Sequence, residues 1–411
     1  MTAGTTALRL GDYNQQVVLE LIRTVAGVSR TEIAERTGLT AQAISKIVRR
    51  LVDQGLVRES GTTVPSTLGG RPAAGLQVNP GASYAVGVHV DRDETAYTLL
   101  DLSGTVVARH RRATPQTGPS RVVHQIAAVV PRLLDTAHVQ RSHVLGIGVG
   151  APGPLDPVEG VVQSPGGMRG WGTVPLRDLV SERTGFPVSI ENDAVAAAIG
   201  ESWIGQSWIG RPGRARTMVF CYLGWGVGAA LLIDGHPYRG SNAGSDLYHL
   251  PVDPRGPLCA CGSRGCVGLY VSPAKIVDAV RALRSDAGSS DGGTGNGGTG
   301  DLDYAQVCAA ARAGAAIERR VMTNAARMLG LALVGVTNVL VPDVVVLGGA
   351  AVDAARFSYE PQIRAALDRS TGYVHGQKVR VEFSSAGAEV GAVGAASLVL
   401  HAAFAPRIPS A

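Results

Sequence analysis

The chain has 411 residues, 45% of them apolar and only 17% charged, with 54 glycines. That excludes a disordered or fibrous chain and fits two or three domains of loop-rich α/β structure. A formal charge of +5 does not by itself demand nucleic acid, and five cysteines over this length exclude a disulfide scaffold.

The opening stretch "MTAGTTALRLGDYNQQ" lacks the apolar core of a signal peptide, so a reducing cytoplasm is the expected compartment. Three helices follow. Val17, Val18, Leu21 and Ile22 repeat at helical spacing. Ser29 and Glu32 form a capping-box pattern ahead of Ile33 and Ala34, and Gly38 closes the turn. Thr40 caps a third helix with Ile44, Ile47, Val48 and Leu51 on one face. Two short helices around a glycine turn are a helix-turn-helix pattern.

The outer faces of the third helix carry Gln42, Ser45, Lys46, Arg49 and Arg50 beside the cap Thr40. Gln42 and Ser45 suit base edges; the three cations suit phosphates. "GLVRES" starts a strand, and "TTVPSTLGGRPAAGLQVNP" predicts a two-stranded wing with Arg71 at its tip, fit for a minor groove. Residues 1–80 are therefore expected to be a winged helix-turn-helix that binds DNA; the competing reading is a small bundle that contacts protein.

Residues 84–110 and 217–240 share one pattern: strand, turn, strand, tight turn at Ser103-Gly104 or Asp234-Gly235, third strand. A pattern used twice predicts two related lobes within residues 81–411. The stretch 329–349 reads as a buried helix and strand, since Asn338, Pro342 and Asp343 break it as a membrane span. Residues 285–301, nearly all Gly, Ser, Thr and Asp, predict a flexible insertion.

"PLCACGSRGC" gives Cys259, Cys261 and Cys266, with His249 ten residues ahead of the first. Three thiolates and an imidazole make a tetrahedral set suited to structural Zn2+, within a loop spanning 249–266; the alternative is free buried thiols. Cys221 and Cys308 fall in apolar patterns and read as core.

"APGPLDPVEGVV", "ENDAVAAAIGE", "LGWGVGAALLIDG", "HLPVDPRGPLCACGSRGC" and "PDVVVLGGA", in that order, resemble the ROK family (repressor, open reading frame, kinase). The preceding helix-turn-helix with "STLGGRPA" resembles its repressor branch. The resemblance implies an α/β, actin-like (ribonuclease H-like), two-lobed sugar-kinase fold behind the winged helix, with zinc in the cysteine loop. It also implies that Asp193 matches a catalytic aspartate, and that Asn192, Asp193, Asp246 and His249 match sugar-contacting positions.

Departures from the family pattern argue against catalysis. The first phosphate turn reads "DRDET", with Asp93 and Glu94 where glycines are expected, adding bulk and negative charge where ATP phosphates must approach. Asp193 is then a vestigial base. Gly166 replaces an asparagine, Tyr248 a glycine, Asp246 a glutamate and Gly268 a further sugar-binding glutamate. Tyr248 and Trp171 are candidates to stack on a sugar face, and Trp171 is equally readable as a packed anchor.

The expected function is a DNA-binding regulator, a repressor of carbohydrate genes. It would bind palindromic double-stranded operator DNA as a homodimer or tetramer, sense a sugar or sugar derivative, and have no membrane association. The alternatives are an active sugar kinase with an added DNA-binding domain, and a regulator with no ligand.

Overall fold

The computed structural model describes residues 7–64, 73–205, 217–240, 246–288, 302–375 and 378–406. Contacts divide the chain into two compact units. Unit 1 holds residues 1–191, 199–214 and 392–411; unit 2 holds 192–198 and 215–391.

Unit 1 begins with α1 (Ala7–Thr24), α2 (Arg30–Thr37) and α3 (Ala41–Asp53), then β1 (Val57–Val64) and β2 (Ala73–Val78), paired antiparallel. The local signals act as expected. Ser29 Oγ accepts from the Glu32 amide, Gly38 takes the left-handed conformation, and Thr40 Oγ1 accepts from the Ala43 amide. Ile22, Ile33, Ile44, Val48, Leu51 and Leu76 are buried together. Of the four α1 positions expected inside, Val18 and Ile22 are buried; Val17 and Leu21 are only half-buried, and Leu19 is buried instead. The contacts of α1 with both α3 and β2 rotate the buried stripe in this way.

The rest of unit 1 is built on a five-stranded sheet. Its strands are β3 (Tyr84–Val90), β4 (Glu94–Asp101), β5 (Val106–Ala113), β6 (Val144–Ala151) and β10 (Val188–Asn192). Between them lie α4 (Pro119–Thr136), the small strands β7 (Leu155–Asp156), β8 (Val161–Gln163) and β9 (Thr173–Val174), and α5 (Leu176–Thr184). The sheet order is β10-β6-β3-β4-β5. Helix α6 (Asp193–Ile204) starts in unit 2 and ends in unit 1.

Unit 2 repeats the plan with β11 (Thr217–Leu223), β12 (Val227–Ile233) and β13 (His236–Tyr238), then α7 (Gly268–Val271), α8 (Pro273–Gly288), α9 (Tyr304–Arg312) and α10 (Ala316–Leu340). It continues with β14 (Val344–Gly348), α11 (Ala350–His375) and β15 (Arg380–Phe383), and the closing helix α12 (Val390–Phe404) runs back into unit 1. Its order, β13-β12-β11-β14-β15, has the same form: an antiparallel meander whose first strand pairs in parallel with a later one. Asp234 and Gly235 both have positive φ at the β12–β13 turn, which suits a two-residue hairpin loop. The two strand-turn-strand segments legible in the sequence are these meanders.

Ser285–Gly288, expected in a flexible insertion, are instead the last residues of α8; residues 289–301 lie outside the described residues. The helix is anchored by its earlier turns, where Ile276, Val277 and Val280 are buried, and Ser285 and Asp286 extend it as exposed residues.

Glycines set how closely helices lie on the first sheet. Gly87 and Gly148 face each other across the β3–β6 ladder. A Cβ on Gly148 would stand 1.8 Å from the Ala395 carbonyl oxygen, and one on Gly87 2.0 Å from that of Ala392. The backbone of α12 therefore rests directly on β3 and β6. The stretch Gly387–Phe404 is long and apolar enough to cross a membrane by length and composition, and 56% of it is buried.

Candidate functional site

The exposed face of α3 presents Gln42, Ser45, Lys46, Arg49 and Arg50, as its periodicity predicted, because Ile44, Val48 and Leu51 turn the opposite face inward. Thr40 is exposed, and its hydroxyl is used as the helix cap. Arg50 lies 3.8 Å from Asp12 across solvent, a pairing worth little. Arg71 falls outside the described residues. Arg58, exposed on β1, adds a cation to the wing that the sequence reading missed; its place beside the buried Val57 was the available signal.

The winged helix is tied to the rest of unit 1 through Arg23. Its guanidinium carbon sits 3.9 Å over the Trp203 ring, at the end of α6, and Nη1 donates to the Trp203 carbonyl. Glu20 holds the same guanidinium at 2.9 and 3.0 Å. The Trp203 ring meets His401 of α12 edge-on at 6.5 Å.

In unit 2, His249, Cys259, Cys261 and Cys266 converge, their ligand atoms all within 4.8 Å of one another. Cys259 Sγ is 3.4 Å from His249 Nδ1, and Cys261 Sγ is 3.6 Å from Cys266 Sγ. A tetrahedral ion with metal–sulfur bonds of about 2.3 Å separates its ligands by about 3.5–3.8 Å, so the donor set fits zinc. Backbone geometry makes the loop. Gly265 has φ +62°, and a Cβ there would lie 1.9 Å from the Asp253 carbonyl oxygen; Gly262 has φ +91°. Only glycine tolerates both demands. Burial pushes the Cys266 thiol up to about 12, whereas the Ser263 backbone draws Cys261 down to about 6. On the far side of the imidazole, Asp246 Oδ2 stands 3.8 Å from His249 Nε2.

Asn192 and Asp193 mark the start of α6 in unit 2. Asn192 Oδ1 accepts from the Ala194 amide at 3.0 Å, and Asp193 Oδ1 from the same amide at 2.8 Å. Gly228, early in β12, packs on Ala194: a Cβ on it would be 3.1 Å from that of Ala194. The four expected ligand residues thus share unit 2 on separate elements, one pair opening α6 and one pair flanking the cysteine loop. Trp171 is buried, which favours its reading as a packed anchor.

The "DRDET" turn is tightly cross-linked. Asp91 Oδ1 accepts the Arg92 amide, Thr114 bonds to the carbonyls of Asp91 and Asp93, and Gln116 bonds to that of Arg92. Glu94 pairs with Arg111 of β5 at 2.9 Å, and both side chains stay about half-exposed, so the pairing only weakly offsets the negative charge at this turn. Asp93 remains largely exposed, 3.7 Å from Arg92.

A family model described as "ROK family" matches residues 85–402, and one described as "MarR family" matches residues 13–63. The xylose repressor of Caldicellulosiruptor bescii is 25% identical over 345 residues, covering 83% of this chain and 84% of that protein. A solved ROK family transcriptional regulator, a homologue of the E. coli MLC protein, superposes with a TM-score of 0.75 at 25% identity, covering 96% of this chain and 97% of that one. A ROK family glucokinase from Streptomyces griseus, solved with glucose and AMPPNP, gives a TM-score of 0.65 at 27% identity over 77% of this chain and 99% of the kinase.

Proposed function

The chain belongs to the ROK family, and from that premise we propose that it is a repressor of carbohydrate genes that binds operator DNA and responds to a sugar or sugar derivative. The observation that carries this reading is the MarR-type winged helix ahead of the ROK body, with Gln42, Ser45, Lys46 and Arg49 aligned on the exposed face of α3. Residues 1–80 act as the DNA-binding domain and 81–411 as the sensor. One recognition helix reads one half-site, so a homodimer or tetramer binds a palindrome, in the cytoplasm.

The sensor uses Asn192, Asp193, Asp246 and His249. Ligand binding at the start of α6 reaches the winged helix through that helix. Its 12 residues span about 18 Å, and its far end carries Trp203 under Arg23. His249, Cys259, Cys261 and Cys266 hold a structural Zn2+, which stiffens the loop and aims the other imidazole nitrogen outward; four protein ligands leave the ion no open position. Catalysis is absent in this reading. Phosphoryl transfer needs backbone N–H groups free to meet phosphate, and the Arg92 amide is already bound to Asp91.

Operator binding tests the proposal. Promoters bound in the cell are mapped, and a bound fragment is titrated with wild type and Arg49→Ala at several salt concentrations. Loss of one phosphate contact weakens binding and lowers the salt slope by about one. An unchanged affinity and slope refutes the placement of α3. Steady ATP turnover with any sugar, abolished by Asp193→Ala, instead establishes the kinase reading.

A further inference from the structure

Two departures from the family pattern, Tyr248 for glycine and Gly268 for glutamate, lie 20 positions apart in the chain and meet in space. Gly268 is buried and opens α7. A Cβ on it would stand 2.2, 2.3 and 2.4 Å from Cδ2, Cγ and Cε2 of Tyr248. The phenol ring therefore lies on the bare Cα of Gly268, in the volume where any side chain at 268 would begin. The two substitutions are linked: position 268 cannot carry a glutamate while Tyr248 keeps its ring here, so the bare Cα of Gly268 is what admits the tyrosine.

The ring is well held. It meets the His249 imidazole edge-on at 4.9 Å, beside the metal-ligand set. Ser272, whose Oγ donates to the Gly268 carbonyl at 2.6 Å, is a further neighbour of its hydroxyl. The residue packs against the unit 2 core and is half-buried. The exchange removes an ionised acceptor, which binds sugar hydroxyls strongly and directionally, and leaves an aromatic face, which favours C–H groups.

We propose that Tyr248 is the specificity-determining residue of the sensor site, selecting carbohydrates that present an apolar C–H face, where a carboxylate at 268 would select hydroxyls. This rests on the sensor reading above, and its two parts are tested separately.

The exchange itself needs no ligand. Gly268→Ala is expected to lower the melting temperature by more than 5 °C, and Y248G/G268A to recover at least half of that loss. A Gly268→Ala variant that melts within 2 °C of wild type overturns the exchange and the role of Tyr248 with it.

Selectivity is read by thermal shift and calorimetry on the full chain with D-glucose, D-xylose, N-acetyl-D-glucosamine and their methyl glycosides. A sugar that stabilises wild type is expected to bind at least tenfold more weakly to Tyr248→Ala and within twofold to Tyr248→Phe. The Y248G/G268E variant is expected to bind D-glucose at least tenfold more tightly than wild type. Equal affinities in wild type and Tyr248→Ala, with binding still lost in Asn192→Ala, overturn the role of Tyr248 and leave the sensor site standing. Affinities unchanged in Asn192→Ala as well overturn the site. A panel in which no sugar stabilises wild type overturns both.

Discussion

Arg23→Ala removes the side chain that joins the winged helix to the end of α6. The Arg23 side chain is 5% exposed, and its guanidinium stacks on a buried indole, where a cation–π contact is worth about 1–2 kcal/mol. Its donation to the Trp203 carbonyl adds about 1.5–3 kcal/mol as a hydrogen bond from a charged group. Glu20, only 15% exposed, is left without its cation. Truncating one partner of a buried pair costs about 3–5 kcal/mol, and Glu20 is wet enough to fall at the low end. These contributions share one side chain and are not additive, so the expected loss is at least about 3 kcal/mol and below their sum, and it acts locally, since the partners are α1 and α6. Hydrogen exchange is the assay: amides of α1 should lose protection in Arg23→Ala while those of β3 and β6 keep theirs. A double-mutant cycle with Trp203→Leu should return a coupling of about 1–2 kcal/mol. Stability within about 0.5 kcal/mol of wild type, with unchanged exchange in α1, would show that the stack does not hold the winged helix.

Three further outcomes follow from the geometry. Gly148→Ala places a methyl against the Ala395 carbonyl and should destabilise by about 3 kcal/mol or more in urea, whereas Gly335→Ala, with open space around it in α10, should stabilise by about 0.5–1 kcal/mol. Cys266→Ser should lower bound zinc, measured by elemental analysis, from one per chain to none and reduce the melting temperature, while Cys308→Ala, in the unit 2 core, should leave the metal in place. Burial lowers the His89 pKa below its ordinary value, against the raising influence of Asp91 and Glu94 and with Arg111 assisting. The unfolded chain then takes up the proton first, so stability present above about pH 6.5 falls as the pH drops, by at most about 1.4 kcal/mol per pH unit. His89→Gln should flatten that slope in denaturation series run between pH 7.5 and 5; an identical slope would refute the assignment.

The sequence by itself determined whatever is encoded over short range. Ser29, Gly38 and Thr40 act on backbone groups three or four residues away, so the helix-turn-helix was legible from them. Helical periodicity alone put Lys46 and Arg49 on the outside. The cysteine spacing predicted that the thiols converge, because three cysteines and two glycines fall within eight positions. The meander, written twice, announced two related sheets. Local encoding also set the errors: a run of small polar residues reads as a loop from its first member, yet α8 continues to Gly288 because the buried side chains before it carry the helix onward.

Tertiary structure decided what depends on residues far apart in the chain. Arg23 and Trp203 are separated by 180 positions, Gly148 and Ala395 by more than 200, and no pattern along the chain links them. The ion pair of Glu94 with Arg111 of β5 likewise joins residues 17 positions apart. Gly268 and Tyr248 read as two independent losses until the ring was seen to occupy the volume that the glycine leaves. In each case the physical reason is the same. A side chain's partner is fixed by packing and excluded volume in three dimensions, and these are properties of the folded chain that the order of its residues states only one at a time.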